Sequence, residues 1–261
     1  MSFRHLLLKV VGVVVLTLAL GVSMNANAGL FGIGGDSWKE EVLLHDGQKI
    51  IVERSQTYGG NHEIGQSAPI KEHTIHFKLP GSGKAIVWTS EYGADIGRTN
   101  FNLLAVHVLN DIPYVVASPN LCLSYNKWGR PNPPYVFFKY DGKVWQRIPI
   151  EQFPAEFKMP NVAIYLGQQA VAEMVALRLV SAEKIKTWNA ELKVPQYKSI
   201  LREAYLGAAG SCGEMIRTGD GGWTGIGWFK KQPSREACLN YCAKEKVDAQ
   251  SCPCETLFGG K

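Results

Sequence analysis

Three sets of side chains in this sequence have the right types and spacing to do chemistry. The first is Cys122, Cys212, Cys238, Cys242, Cys252 and Cys254. An even number of cysteines in an exported chain reads as a disulfide framework. Cys238 and Cys242 are spaced one helical turn apart, so a bridge between them would constrain little. Each instead faces toward the Cys252-Pro253-Cys254 pair, which leaves Cys122 for Cys212. Four clustered thiolates would also suit zinc, but an oxidising compartment favours disulfides, so no metal is expected. A C-x-x-C at the start of a helix, the arrangement that lowers a thiol pKa for redox catalysis, does not occur. The second set is Glu91 and Asp95. Paired carboxylates in a cleft can run glycoside hydrolysis, although a solvated loop with an ordinary ion pair is the commoner explanation of such a pattern. The third is Trp128, Arg130, Trp223 and Trp228, in segments rich in glycine and proline. Exposed rings there can stack on sugars or on a partner's apolar patch, so these four residues are the candidate binding set.

Other motifs fail on inspection. Gly81-Ser82-Gly83-Lys84 lacks the preceding glycine and the following Ser or Thr of a phosphate loop, and reads as a hairpin turn. His73 and His76 lie three apart on an alternating strand, so they point to opposite faces and cannot chelate together. A G-x-S-x-G nucleophile elbow is absent. No cofactor is implied.

Residues 1–28 have the form of a signal peptide. Arg4 and Lys9 precede an apolar run from Val10 to Val22, and Ala26-Asn27-Ala28 is a small-x-small cleavage site. The run is short for a membrane span of about 20 residues. No second run would hold the mature chain in a bilayer. Export points to the periplasm or the medium. The net charge is +5; residues 1–28 carry two basic side chains and no acid, so the mature chain carries +3. That is too mild to argue for nucleic acid.

The elements that must position these residues follow from periodicity. Residues 29–37 read as a flexible, glycine-rich leader. Residues 38–165 read as an antiparallel β domain, with short strands and recurring turn signals. Asp46-Gly47 as a two-residue turn would pair Val42 with Ile51 and Leu43 with Ile50. Asp141-Gly142 in the same role would set Phe138 opposite Trp145. Several strands are apolar on both faces, which favours a β-sandwich or barrel-like domain over an open sheet. Residues 166–210 change to helical spacing and read as a helical segment covering the β domain. Ser181 caps one helix, and Pro195 opens another through Tyr197, Ile200, Leu201 and Ala204. Residues 211–261 are a small Gly/Cys-rich, disulfide-stapled tail. The class is therefore mainly β with α additions.

The runs from Trp38 to Gly47 and from Asn126 to Pro149 resemble a group of uncharacterised exported proteins of Gram-negative bacteria. The likeness covers about residues 38–160. Its specific part is the stretch Asn126-Lys127-Trp128-Gly129-Arg130-Pro131-Asn132-Pro133-Pro134 with the aromatic run after it. The resemblance implies export and no catalytic residue, and the helical and Cys-rich remainder lies outside it. Together these features lead us to expect a non-catalytic envelope or secreted module that binds a protein or glycan partner. A periplasmic hydrolase using Glu91 and Asp95 is the alternative. Mass spectrometry of the N-terminus of the protein recovered from the periplasm is expected to find Gly29 as the first residue. An intact Met1 there would remove the export reading.

Overall fold

A computed structural model describes residues 35–164 and 166–259. The expected signal peptide and most of the expected leader lie outside the described residues. β1 (Asp36–Leu43) begins within the stretch read as leader, and β2 (Lys49–Tyr58), β3 (Ile70–Lys78) and β4 (Ala85–Thr89) follow it as an antiparallel meander. A small hairpin, β5 (Tyr92–Gly93) and β6 (Arg98–Thr99), carries the chain across. β7 (Phe101–Leu109), β8 (Ile112–Pro119), β9 (Val136–Tyr140) and β10 (Trp145–Ile148) form a second meander. Between β8 and β9 lies a short helix, α1 (Leu121–Lys127).

The two sheets share one core. Val42, Val52, Phe77 and Trp88 of the first pack with Phe101, Leu103 and Val115 of the second. This is a sandwich rather than a closed barrel, because no strand pairing joins the sheets among the described residues. Side chains bridge the two gaps instead. On one side, Trp145 Nε1 donates to Val87 O at 2.6 Å and Lys84 Nζ to Gly142 O at 3.1 Å. On the other, Asn161 imitates a strand. Its Oδ1 accepts from Val106 N, and its Nδ2 donates to Val106 O and to Leu43 O. The bridge sits beside the irregularity between Leu103 and Ala105 of β7. Unpaired edges are thereby satisfied without a further strand.

Both hairpin registers are shifted from the sequence expectation. The first loop is His45-Asp46-Gly47, with Gly47 in the left-handed region at φ +86°, and Val42 pairs with Ile50. A three-residue loop closed by a left-handed glycine is the next commonest solution after the two-residue turn. One residue of slip flips a strand's faces, so Ile50 is buried and Ile51 exposed. In the second, Asp141 stands before the turn and not in it. Its carboxylate accepts from Lys143 N and Val144 N, both at 2.8 Å, which leaves Gly142 and Lys143 as the turn residues. The cross-strand aromatic pair is therefore Tyr140 with Trp145, ring centroids 5.3 Å apart.

Strands β7 and β8 of the second sheet are buried on both faces. The sheet's outer face is covered by Phe153, Phe157 and Ile200. Arg202 fixes this cover by donating to the carbonyls of Phe153, Pro154 and Phe157. The helices sit elsewhere. α2 (Gln168–Leu177) and α3 (Ala182–Glu191) flank a two-residue strand, β11 (Leu179–Val180), which adds to β1 in parallel. Val171, Met174 and Ile185 pack on Trp38 at that edge. Ser181 caps α3 by accepting from Lys184 N. The expected helix from Pro195 lasts one turn, α4 (Pro195–Lys198). Beyond it the backbone bonds across the fold: Ile200 N donates to Lys158 O and Leu201 N to Tyr135 Oη. Covering the sheet outweighs the modest gain from continuing a short helix.

The inward face of the first sheet changes from apolar to polar toward one end. Glu40 and Arg54 form a buried ion pair at 2.9 Å. Glu40 also accepts from Trp38 Nε1 and Ala163 N, and Arg54 donates to Ala163 O. Beyond them His73 lies opposite Gln56, and its two ring nitrogens have no hydrogen-bond partner among the described residues. Burial, with the Arg54 charge adding to it, pushes the His73 pKa down from 6.5 to about 3. Burial likewise pushes His107, stacked on Phe157, down to about 4, partly offset by its bond to Met159 O.

Two predictions follow from this buried polarity. Glu40→Gln leaves Arg54 buried without a counter-charge and is expected to cost about 3–5 kcal/mol, read as a lower urea midpoint. The double variant Glu40→Leu with Arg54→Met is expected to recover only part of that loss, because the Ala163 N–H and carbonyl and Trp38 Nε1 then lose their partners. Second, both histidines are neutral in the fold, so the unfolded chain binds more protons below its ordinary histidine pKa. Their full contribution is present above pH 6.5 and is lost as pH falls from there toward 4, at about 1.4 kcal/mol per pH unit for each histidine. His73→Leu should remove one histidine's share of that slope in urea titrations at pH 7, 6 and 5. An unchanged slope would contradict the assignment.

Candidate functional site

Of the residues singled out from the sequence, Glu91, Asp95, Trp128, Arg130 and Trp223 converge where the C-terminal segment meets the sandwich. The convergence starts with how α1 ends. Trp128 is its C-cap, Gly129 follows at φ +81°, and Pro131 cannot continue a helix. Arg130 N donates to Tyr125 O and Gly129 N to Asn126 O. This is the paired bonding of a Schellman stop, with the Arg130 guanidinium over the Tyr125 ring as the accompanying contact. The stop aims Arg130 and Asn126 toward the tail.

The tail enters through the Cys122–Cys212 disulfide, with Cα atoms 5.0 Å apart. Arg130 donates to Cys212 O at 3.0 Å and to Gly213 O at 3.1 Å. Asn126 donates to Gly213 O and accepts from Met215 N. The glycine- and tryptophan-rich part of the tail forms a ribbon, the hairpin of β12 (Met215–Arg217) and β13 (Trp223–Gly225). Trp223 Nε1 donates to Asp95 O, and Arg217 Nε lies 3.7 Å from the Asp95 carboxylate. Lys127 Nζ stands 3.2 Å from Asp95 and 3.8 Å from Glu91.

These contacts decide what the candidates can do. Glu91 and Asp95 share a lysine, and Asp95 is buried and faces a second cation. The arrangement is an ion-pair network fastening β5–β6 to α1 and the ribbon, not two carboxylates facing a substrate. Trp128 is not an exposed ring. It packs 4.6 Å from Phe101 on the main core, and its Nε1 is buried. Arg130 is spent on tail carbonyls, and Trp223 is half-buried at the same junction.

Trp228 is different. The ribbon leads into α5 (Ile226–Lys230), and then α6 (Arg235–Lys244) and α7 (Cys254–Phe258) complete a module with its own core. Phe229 is fully buried in that core, against Tyr241. Its neighbour on the helix turns outward, so Trp228 is 57% exposed. Lys231 Nζ lies 4.7 Å from the ring centroid, and Lys230 is exposed beside it. Ser234 caps α6 by accepting from Ala237 N, and Cys238–Cys254 and Cys242–Cys252 close the module.

A groove of about 420 Å³ runs along the loop before β9, lined by Pro131, Pro133, Tyr135 and Arg147 among others. Asn126, Lys127 and Arg217 are not among the candidate residues read from the sequence. The Gly129…Pro131 stop signal marks the helix end that positions the first two; Arg217 carries no such signal. Among the described residues no helix is long and apolar enough to cross a membrane. No protein-family model, curated protein or solved structure matches the chain.

Arg130→Ala is expected to weaken the docking of the tail by roughly 1.5–3 kcal/mol, the scale of hydrogen bonds from a charged donor. Amide exchange should rise across residues 212–217 while strands of the main core keep their protection. Equal loss of protection in both regions would mean that Arg130 serves the sandwich instead.

Proposed function

We propose that this chain is an exported, non-catalytic binding module whose C-terminal module presents Trp228 to an envelope protein or glycan. The observation that carries the proposal is the exposed Trp228 ring, held on a disulfide-closed core and flanked by Lys230 and Lys231. An exposed tryptophan offers a large rigid contact area at little entropic cost, and such residues dominate binding hot spots. The two lysines add preference for a ligand with negative charge. Rigid docking through Cys122–Cys212 and Arg130 favours binding further, because less is lost in ordering the site. Export rests on the signal-like first 28 residues and agrees with a framework of three disulfides. The resemblance to exported Gram-negative proteins supports the same setting. Glu91 and Asp95 are held by Lys127, which weighs against the hydrolase reading.

Co-sedimentation with an isolated envelope fraction tests the proposal. Trp228→Ala is expected to weaken binding by 2 kcal/mol or about 30-fold, the hot-spot scale. Protease treatment of the fraction separates a protein partner from a glycan. Trp128→Ala serves as the contrast and should lower stability instead. Unchanged binding by a folded Trp228→Ala protein would remove this reading.

A further inference from the structure

Four sulfurs crowd the core of the C-terminal module. Cys238 is bonded to Cys254, and Cys242 to Cys252. The two disulfides lie side by side. Cys254 Sγ is 3.4 Å from Cys252 Sγ and 3.6 Å from Cys242 Sγ, so it touches both sulfurs of the other bridge. Cys238, Cys242 and Cys254 hold their sulfurs within 4.8 Å of one another. Burial is graded across the group. Cys238 and Cys254 are fully buried and Cys242 nearly so, whereas Cys252 is half-buried in the connection between α6 and α7.

Thiol–disulfide exchange is the attack of a thiolate on one sulfur of a disulfide, with the other sulfur leaving. The first attack needs access, and any onward step needs a further disulfide sulfur in contact with the leaving thiolate. This cluster supplies both in order. We propose that Cys252 is an entry site for thiol exchange, at which a low-molecular-weight thiol or a partner's cysteine forms a mixed disulfide, and that the exchange passes inward through Cys242 and Cys254 to Cys238.

In the first step the external thiolate bonds to Cys252 Sγ, the Cys242–Cys252 bond breaks, and Cys242 leaves as the thiolate. In the second, Cys242 Sγ bonds to Cys254 Sγ, the Cys238–Cys254 bond breaks, and Cys238 leaves and takes a proton from solvent. One thiol enters and one thiol is left, with two disulfides before and two after, so no outside oxidant or reductant is required. The freed thiol ends at the most buried position, away from the mixed disulfide at the surface. A covalent link to a partner would then persist because the leaving sulfur has been captured elsewhere. The site stands independently of whether Trp228 meets a partner.

The full oxidised chain tests both steps. Incubated with glutathione at fixed pH and quenched with acid, it is expected to carry its first adduct within the module on Cys252, ahead of Cys238, Cys242 and Cys254. Non-reducing peptide maps of that adduct should contain Cys242 joined to Cys254, with Cys238 as the alkylatable thiol. A first adduct within the module on Cys238, Cys242 or Cys254 would overturn the entry site. An adduct on Cys252 that leaves Cys238–Cys254 intact would overturn the inward step. Cys252→Ser gives a second reading, because Cys242 then starts unpaired beside Cys254. Its map should divide the free thiol between Cys238 and Cys242, and a free thiol confined to Cys242 would again sink the inward step.

Discussion

The pairing of Glu40 with Arg54 is the constraint on which the sandwich depends. Both side chains are inside, on the face that elsewhere holds Val42, Val52 and Phe77. Removing two charges from water is expensive, and their attraction offsets that cost only when the remaining donors and acceptors are also met. The fold meets most of them with one segment. Ala163 supplies its N–H to Glu40 and its carbonyl to Arg54. The pair thereby fixes the chain that returns past β1 after the second sheet. Two residues earlier in that same strand of chain, Asn161 closes the gap between β7 and β1. Trp38, bonded to Glu40 and lying 5.2 Å beneath the Arg54 guanidinium, carries the same anchor into the packing of α2 and α3.

A second level of order is built on that frame by local backbone geometry. The stop at the end of α1 directs Arg130 and Asn126 outward, and the tail carbonyls meet them. A disulfide and a few charge-assisted bonds suffice because the module brings its own core of Phe229, Cys238, Cys242 and Cys254. A core of that size is small, and cross-links commonly supply what so little apolar area cannot. The consequence is a rigid platform. The tryptophans that pack at the junction serve its stiffness, and the one that does not, Trp228, is left to face solvent.

The strands, most turns, the cap at Ser181 and the link of Cys122 to Cys212 were legible from local sequence, because each rests on contacts within a few residues or on the arithmetic of six thiols; which of Cys252 and Cys254 meets Cys238 was not. The registers of two hairpins were not. A carboxylate accepting from Lys143 and Val144, and a left-handed glycine at position 47, each moved a turn by one residue. The helix expected from Pro195 was lost to distant partners, Lys158 and Tyr135. Which tryptophan is buried and which is exposed also escaped local reading, since Trp128, Trp223 and Trp228 all sit among glycines and prolines.

By itself, then, the sequence determined the classes of structure and a framework of three disulfides tied back to the sandwich through Cys122, since periodicity, turn chemistry and cysteine spacing are written along the chain. Only the tertiary structure decided the candidate site. It put Lys127 between Glu91 and Asp95, sank Trp128 into the core, spent Arg130 on Cys212 and Gly213, and laid two disulfides in contact. The physical reason is that burial and charge pairing depend on which surfaces meet across long separations in sequence. No run of neighbouring residues encodes those meetings.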